Sequence, residues 1–133
     1  LHIADATGDA IRAAGLQRIG LLGTRFTMEE AFYRDRLRER HGIATIIPDA
    51  ADRARVHAII YDELCLGRLL DSSRAELLAI VDRLAAQGAQ GVVLGCTELP
   101  LLLQPGDCTL PCFDTTELHA RAAVAFSLDQ VCA

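Results

Sequence analysis

Three short apolar runs, each closed by a turn signal and separated from the next by a stretch of helical period, constrain this chain more than anything else. They are Ile19-Gly20-Leu21-Leu22-Gly23-Thr24, Ile43 to Ile47 ended by Pro48-Asp49, and Gly91-Val92-Val93-Leu94 bounded by glycine. Runs of this length without polar alternation read as strands buried on both faces, the signature of a parallel sheet. Thr27-Met28-Glu29-Glu30 forms a capping box with Thr27 as N-cap, and Gly42 stops the helix it opens. Val56, Ile59, Ile60 and Leu64 carry a helical period over about residues 51–66, and Ser73-Arg74-Ala75-Glu76 is a second capping box, opening a helix to about Gln87-Gly88. A short strand near Leu110–Phe113 and a helix from Thr115 to about Gln130 complete the order. Strand–helix alternation with short connections predicts an α/β fold: an open, mainly parallel sheet with helices on both faces.

At 133 residues the chain has room for one ordinary domain. A formal charge of −5 argues against nucleic acid or an anionic membrane as partner. No apolar run reaches the roughly 20 residues of a membrane-spanning helix, and no signal peptide is visible. Five cysteines are an odd number without the spacing of a disulfide scaffold, which favours free thiols in a reducing cytoplasm. Cys108, Cys112 and His119 raise the question of zinc. Their spacing is not that of a CxxC pair and a second pair is lacking, so no metal is expected.

The two ends fit the alternation poorly. Ile3 to Ala14 looks helical but lacks a strand before it, and the chain opens on Leu1 rather than Met. The last helix is nearly apolar along Leu118, Ala122, Ala125 and Phe126. These features lead us to expect a piece of a longer protein, and a homo-oligomer with Leu118, Ala122 and Phe126 near the contact.

Chemistry concentrates at Gly95-Cys96-Thr97-Glu98-Leu99-Pro100. A strand ending in this segment places a thiol at its carboxyl end, where open α/β sheets hold their ligands. The N–H groups that follow and the Thr97 hydroxyl can hold an anion beside it. A thiol next to an anion-binding turn suits proton transfer on a carboxylic acid. The competing reading is an inert buried cysteine in a tight turn.

The chain resembles the aspartate/glutamate racemase family. The resemblance rests on Leu1-His2-Ile3-Ala4-Asp5-Ala6-Thr7, Leu21-Leu22-Gly23-Thr24-Arg25-Phe26-Thr27-Met28, Asp62-Glu63-Leu64-Cys65-Leu66-Gly67, Leu94 to Leu102 with its Cys-Thr-Glu core, and Phe113-Asp114-Thr115-Thr116-Glu117-Leu118-His119-Ala120. It covers essentially the whole chain. It implies one half of a two-domain fold with the active site in the cleft between domains and one cysteine from each. Residues 1–14 would be a remnant of the first domain, 15–113 the second domain, and 114–133 a helix returning to the first. The resemblance makes Cys96 one of the two acid–base groups of racemisation, binds the substrate α-carboxylate at Thr97, and gives Glu98 an assisting role in proton transfer or ammonium binding. The substrate is a small amino acid, aspartate or glutamate, and neither pyridoxal phosphate nor metal is required.

Thr24 and Thr27 lie just past a strand end and can face the cleft, although Thr27 is equally explained as a helix cap. Arg25 between them can pair with a side-chain carboxylate or stand in solvent. Glu63 reads as pairing with a neighbouring charge such as Arg68, Cys65 as a helical residue, and His2 and His119 as seam residues. Arg34, Arg36, Arg38 and Arg40 alternate with acids as a solvated helix face. Two other functions stay open: a single-cysteine decarboxylase or isomerase of the wider superfamily, and a non-catalytic binding module.

Overall fold

Ile19, Leu21 and Val93 point to one side of a sheet while Leu22, Val92 and Leu94 point to the other, and all six are buried. In the computed structural model, which describes residues 3–104 and 106–132, four parallel strands form that sheet: β1 (Arg18–Leu22), β2 (Ala44–Ile46), β3 (Gly91–Leu94) and β4 (Cys112–Asp114). Their order is β2-β1-β3-β4. The helices are α1 (Ile3–Ala13), α2 (Arg25–Glu29), α3 (Ala31–His41), α4 (Ala50–Asp62), α5 (Asp71–Ala86), α6 (Leu99–Leu102) and α7 (Thr115–Cys132). The expected fold class, a parallel α/β sheet with helices on both faces, is what forms.

Period-two alternation on the strands divides the core in two. Val56, Ile59 and Ile60 of α4 and Leu77, Ile80 and Leu84 of α5 pack with Leu22, Val92 and Leu94. Ala4 and Ile11 of α1 and Tyr33 and Leu37 of α3 pack with Ile19, Leu21, Val93 and Phe113 on the opposite face, joined by Leu118 of α7. Leu118 is partly buried against this cluster. The exposed apolar residues of α7 lie further along, at Val124, Phe126 and Leu128.

Both capping boxes are corrected. Thr24, not Thr27, is the N-cap of α2, and its Oγ1 accepts the Thr27 N–H at 3.3 Å. Glu30 is extended (φ −73°, ψ 133°) and splits the expected single helix into α2 and α3. Gly42 ends α3 in the left-handed region, as expected. The helix α5 starts at Asp71, so Ser73 is inside its first turn and donates its hydroxyl to Glu63. Glu76 pairs with Arg55 of α4. Glu63 pairs with Arg55 at 3.6 Å, not with the side chain of Arg68. Cys65 lies on an exposed 3-10 turn, Leu64–Leu66, past the end of α4. The basic face of α3 is only partly solvated, because Arg36 grips Asp5 of α1 through two hydrogen bonds of 3.0 and 2.8 Å.

That grip is part of the α1–α3 contact. Asp5 also takes His41 Nε2 at 3.0 Å, and Arg36 first, then His41, hold its carboxyl well below the usual carboxylate range. The His41 ring is wedged against Gly8, where an added Cβ would lie 2.5 Å from Cγ and Cδ2. Gly8→Ala should therefore expel the ring and break its contact with Asp5. We expect a loss of about 1–3 kcal/mol, the usual range for overpacking. It should be read as a lower urea midpoint with an unchanged slope. An unchanged midpoint would show that α3 shifts to absorb the methyl.

Candidate active site

The strand order reverses between β1 and β3. The chain leaves β1 toward β2 on one side and later returns to place β3 on the other. Such a switch point opens a crevice at the carboxyl ends of the two strands. The residues after β1 are Gly23-Thr24-Arg25-Phe26-Thr27, and those after β3 are Gly95-Cys96-Thr97-Glu98, so the expected segments meet there. The Gly95 N–H donates to the Leu22 carbonyl at 2.7 Å, extending the ladder one step past the strands. A Cβ on Gly95 would stand 3.0 Å from that carbonyl and 3.1 Å from Thr27 Cγ2. Only glycine lets the two strand ends close this tightly.

A cavity of about 200 Å³ occupies the crevice, lined by Phe26, Thr27, Glu30, Phe32, Tyr33, Gly95 and Thr115. Phe26 and Phe32 are 72% and 63% exposed, so the aromatic wall lies open to solvent on its outer side. Tyr33 forms the floor. Burial pushes its phenol up to about 12, against the opposing pull of a hydrogen bond with Thr7 of α1. The buried Thr115 hydroxyl donates to the Leu94 carbonyl at 3.1 Å and ties α7 to the end of β3. Asp114 starts α7 by accepting the N–H groups of Thr116 and Glu117. The sequence reading assigned no role to Gly95, Phe26, Phe32, Tyr33 or Thr115. The available signal was that Phe26, Gly95 and Thr115 belong to motifs carrying the resemblance, whereas Phe32 and Tyr33 do not.

Cys96 is half-buried and packs against the cluster containing Leu22 and Met28. The backbone N–H groups of Leu99 and Glu98 turn to its sulfur, while desolvation and the nearby Glu98 carboxylate oppose them. Desolvation wins and the thiol is pushed up to about 11 from 9.0. This departs from the lowered value a resting thiolate base needs. Because those two N–H groups are engaged by sulfur, the exposed Thr97 hydroxyl is the freer donor of the turn. Thr24 and Thr27 hydroxyls lie 3.2 Å apart. Arg25 is exposed, and its backbone N–H, rather than its guanidinium, is bound, by His57 Nδ1 at 2.9 Å. His119 is half-buried on α7 with a buried Nδ1 that finds no partner among the described residues. His2 lies outside the described residues.

A raised thiol has a definite pH signature. Below about pH 9 both folded and unfolded chains carry the protonated thiol, so Cys96 costs no stability there. Between 9 and about 11 only the unfolded chain ionises, and stability falls as pH rises through that window. Alkylation of Cys96 by iodoacetamide should climb with pH toward a midpoint near 11. Glu98→Gln should move that midpoint down while leaving it above 9, since burial is the larger cause. A midpoint at or below 8.5 in the unsubstituted chain would contradict the burial argument.

Cys108 and Cys112 are half-buried and hydrogen-bonded to each other through their side chains. Among the described residues no group of three or more His, Cys, Asp or Glu side chains could hold a metal ion. None of the described helices is long and apolar enough to cross a membrane.

The family model for Asp/Glu/hydantoin racemases matches residues 1–123. The chain is 52% identical to a proposed Asp/Glu racemase from Yersinia pestis, with a TM-score of 0.91 over 96% of this chain and 56% of that one. It is 32% identical to an aspartate racemase homologue from Pyrococcus horikoshii, with a TM-score of 0.88 over 95% of this chain and 55% of the other. An uncharacterised protein encoded in the pnlA 3′ region of Pectobacterium carotovorum is 35% identical over 111 residues, 84% of this chain and 72% of its own. The chain thus spans just over half the length of the two structural relatives.

Proposed function

The chain belongs to the Asp/Glu/hydantoin racemase family, and we propose that it forms one half of a cofactor-independent racemase acting on aspartate or glutamate through Cys96. The observation that carries this reading is the position of Cys96, two residues past the end of β3 where the strand order reverses, with its thiol held protonated by burial.

Racemisation exchanges the α-proton between the two faces of one carbon. A thiolate on one face takes the proton and leaves the C–H electron pair on the carbon, delocalised into the carboxylate. A thiol on the other face then donates its own proton to that carbon. A group held protonated up to about pH 11 is suited to the donor's part. The thiolate would come from outside these 133 residues, in a segment corresponding to the remaining length of the longer relatives.

Thr97 is exposed beside the thiol and is assigned to the substrate α-carboxylate. Thr24 and Thr27 stand across the crevice and share a hydroxyl contact, which leaves one hydroxyl proton of the pair to donate to substrate. Arg25 projects from the same turn with its guanidinium exposed and is assigned to a side-chain carboxylate. Glu98 beside the sulfur is assigned to proton delivery or to the substrate ammonium. A homo-oligomer built on the exposed end of α7, Val124, Phe126 and Leu128, belongs to the same proposal.

The test is to join this chain to the segment its relatives carry and incubate it in heavy water with L-aspartate, L-glutamate or a 5-substituted hydantoin. α-Proton exchange with loss of optical activity for either amino acid is the expected result. Exchange confined to the hydantoin would move the substrate assignment. Release of carbon dioxide without racemisation would favour the decarboxylase reading instead.

A further inference from the structure

Phe26 and Thr27, which line the crevice, belong to α2, a helix of 5 residues. A helix this short does not hold its shape in water without outside support. Met28 is its buried anchor, packed in the cluster that holds Val56, Ile59 and Ile60 of α4. Two polar contacts add to that anchor, and both come from α4. At the carboxyl end of α2, Arg53 Nε stands 3.4 Å from Glu29 Oε1. At the amino end, His57 Nδ1 accepts the Arg25 backbone N–H at 2.9 Å. Arg53 and His57 lie one turn apart on one side of α4.

The His57 contact extends the cap of α2. The leading N–H groups of a helix have no partner within it. The Thr24 hydroxyl takes that of Thr27, and the imidazole takes that of Arg25 from a different helix. An amide N–H only donates, so Nδ1 is the unprotonated ring nitrogen and Nε2 carries the proton. Tyr61, one turn further along α4, lies against the imidazole with ring centroids 4.6 Å apart, which restricts how the imidazole turns. Arg25 sits between Thr24 and Thr27, whose hydroxyls are in mutual contact. The direction of its backbone therefore sets the course of its guanidinium and the angle of both threonines.

We propose that His57 is a positioning residue: by holding the Arg25 N–H it fixes the Thr24–Thr27 turn in the orientation that receives the substrate carboxylates. His57 is not among the residues lining the cavity and acts only through this bond. Its role in the reaction rests on the assignment of Thr24, Arg25 and Thr27 to substrate, whereas the clamp on α2 stands on the hydrogen bond alone.

The experiment uses two variants of nearly equal shape, His57→Asn and His57→Leu. Asparagine offers Oδ1 close to where Nδ1 stands, and leucine has the same branching with no acceptor. Both remove the ring from Tyr61, so a loss of packing alone would affect the two equally. In the nitrogen-15-labelled 133-residue chain, NMR should show a scalar coupling between the Arg25 amide nitrogen and His57 Nδ1, carried by the hydrogen bond. His57→Leu should speed exchange of the Arg25 amide proton about fivefold, the usual worth of one hydrogen bond, and His57→Asn should recover most of the protection. In the chain joined to the segment its relatives carry, His57→Leu should raise KM for the amino acid about fivefold with kcat little changed, and His57→Asn should bring KM back toward the parent value. Absence of the coupling, with Arg25 exchange unchanged in His57→Leu, would remove the clamp. A KM raised equally in both variants would reduce His57 to packing, and a KM unchanged in His57→Leu would show that the turn needs no positioning. A joined protein that exchanges no α-proton while the coupling is present would overturn the racemase assignment and not the clamp, which the coupling and the exchange rates read independently.

Discussion

Cys96→Ser, in this chain joined to the segment its longer relatives carry, is expected to lower racemisation by about 10²–10⁴-fold, the usual worth of a positioned acid or base. The hydroxyl that replaces the thiol is a far weaker acid, and its smaller atom draws the donor away from the substrate carbon. The cost to folding should be slight. Cys96 is half-buried at the rim of the cluster around Leu22 and Met28 rather than at its centre. Far-ultraviolet circular dichroism and the urea midpoint should therefore stay close to the unsubstituted values. Rates of α-proton exchange into each enantiomer separate this role from a structural one. Loss of the donor on one face should abolish interconversion while the opposite face still exchanges its proton with solvent. Unchanged interconversion in a folded Cys96→Ser protein would remove Cys96 from the mechanism.

The 133-residue chain by itself is expected to interconvert the enantiomers of aspartate and glutamate at or near the uncatalysed rate. A single protonated thiol, Cys96, serves one face of the carbon, and among the described residues no thiol lines the cavity beside it. Its lining comprises Phe26, Thr27, Glu30, Phe32, Tyr33, Gly95 and Thr115. Cys65 lies exposed on the Leu64–Leu66 turn, and Cys108 and Cys112 are paired with each other. Carboxylate contact at Thr24 and Thr97 should persist, weakly, because those hydroxyls are within this half. Polarimetry and α-proton exchange in heavy water, run side by side, give the reading. Robust racemisation by the chain alone would show that water or another residue, His119 being the nearest in chemical type, completes the acid–base pair.

The sequence carried the architecture because the architecture depends on local pattern. The strands at Ile19, Ile43 and Gly91, the helix stop at Gly42 and the thiol after Leu94 all follow from which residues are apolar and where glycine falls. The parallel arrangement follows from the short alternating connections. What the sequence alone could not assign were choices between locally equivalent residues. Thr24 and Thr27 are both competent caps. Thr24 won because Thr27 is drawn against Gly23 and Gly95, where any added Cβ would lie 3.1 Å from its side chain. Ser73 and Glu76 look like a capping box, yet each is claimed by a neighbour outside its own helix, Glu63 and Arg55. Glu30 bears no breaker signal and still divides α2 from α3.

Position and environment divide in the same way at Cys96. A strand end is legible from the apolar run that precedes it, so the place of the thiol was determined by sequence. Its protonation was not. The same turn supplies N–H groups that pull the thiol down and a packed surface that pushes it up, and the balance depends on how much water the assembled fold removes. Arg34 Nε and Thr45 Oγ1, buried without a partner among the described residues, belong with that second kind of fact. Residues eleven apart in the chain face one groove only because β2 pairs with β1 and turns Thr45 toward α3. Local pattern determined the elements and where the chemistry could sit. Burial and register, which are properties of the whole packed molecule, decided the charge state of that chemistry and which polar atoms were left wanting a partner.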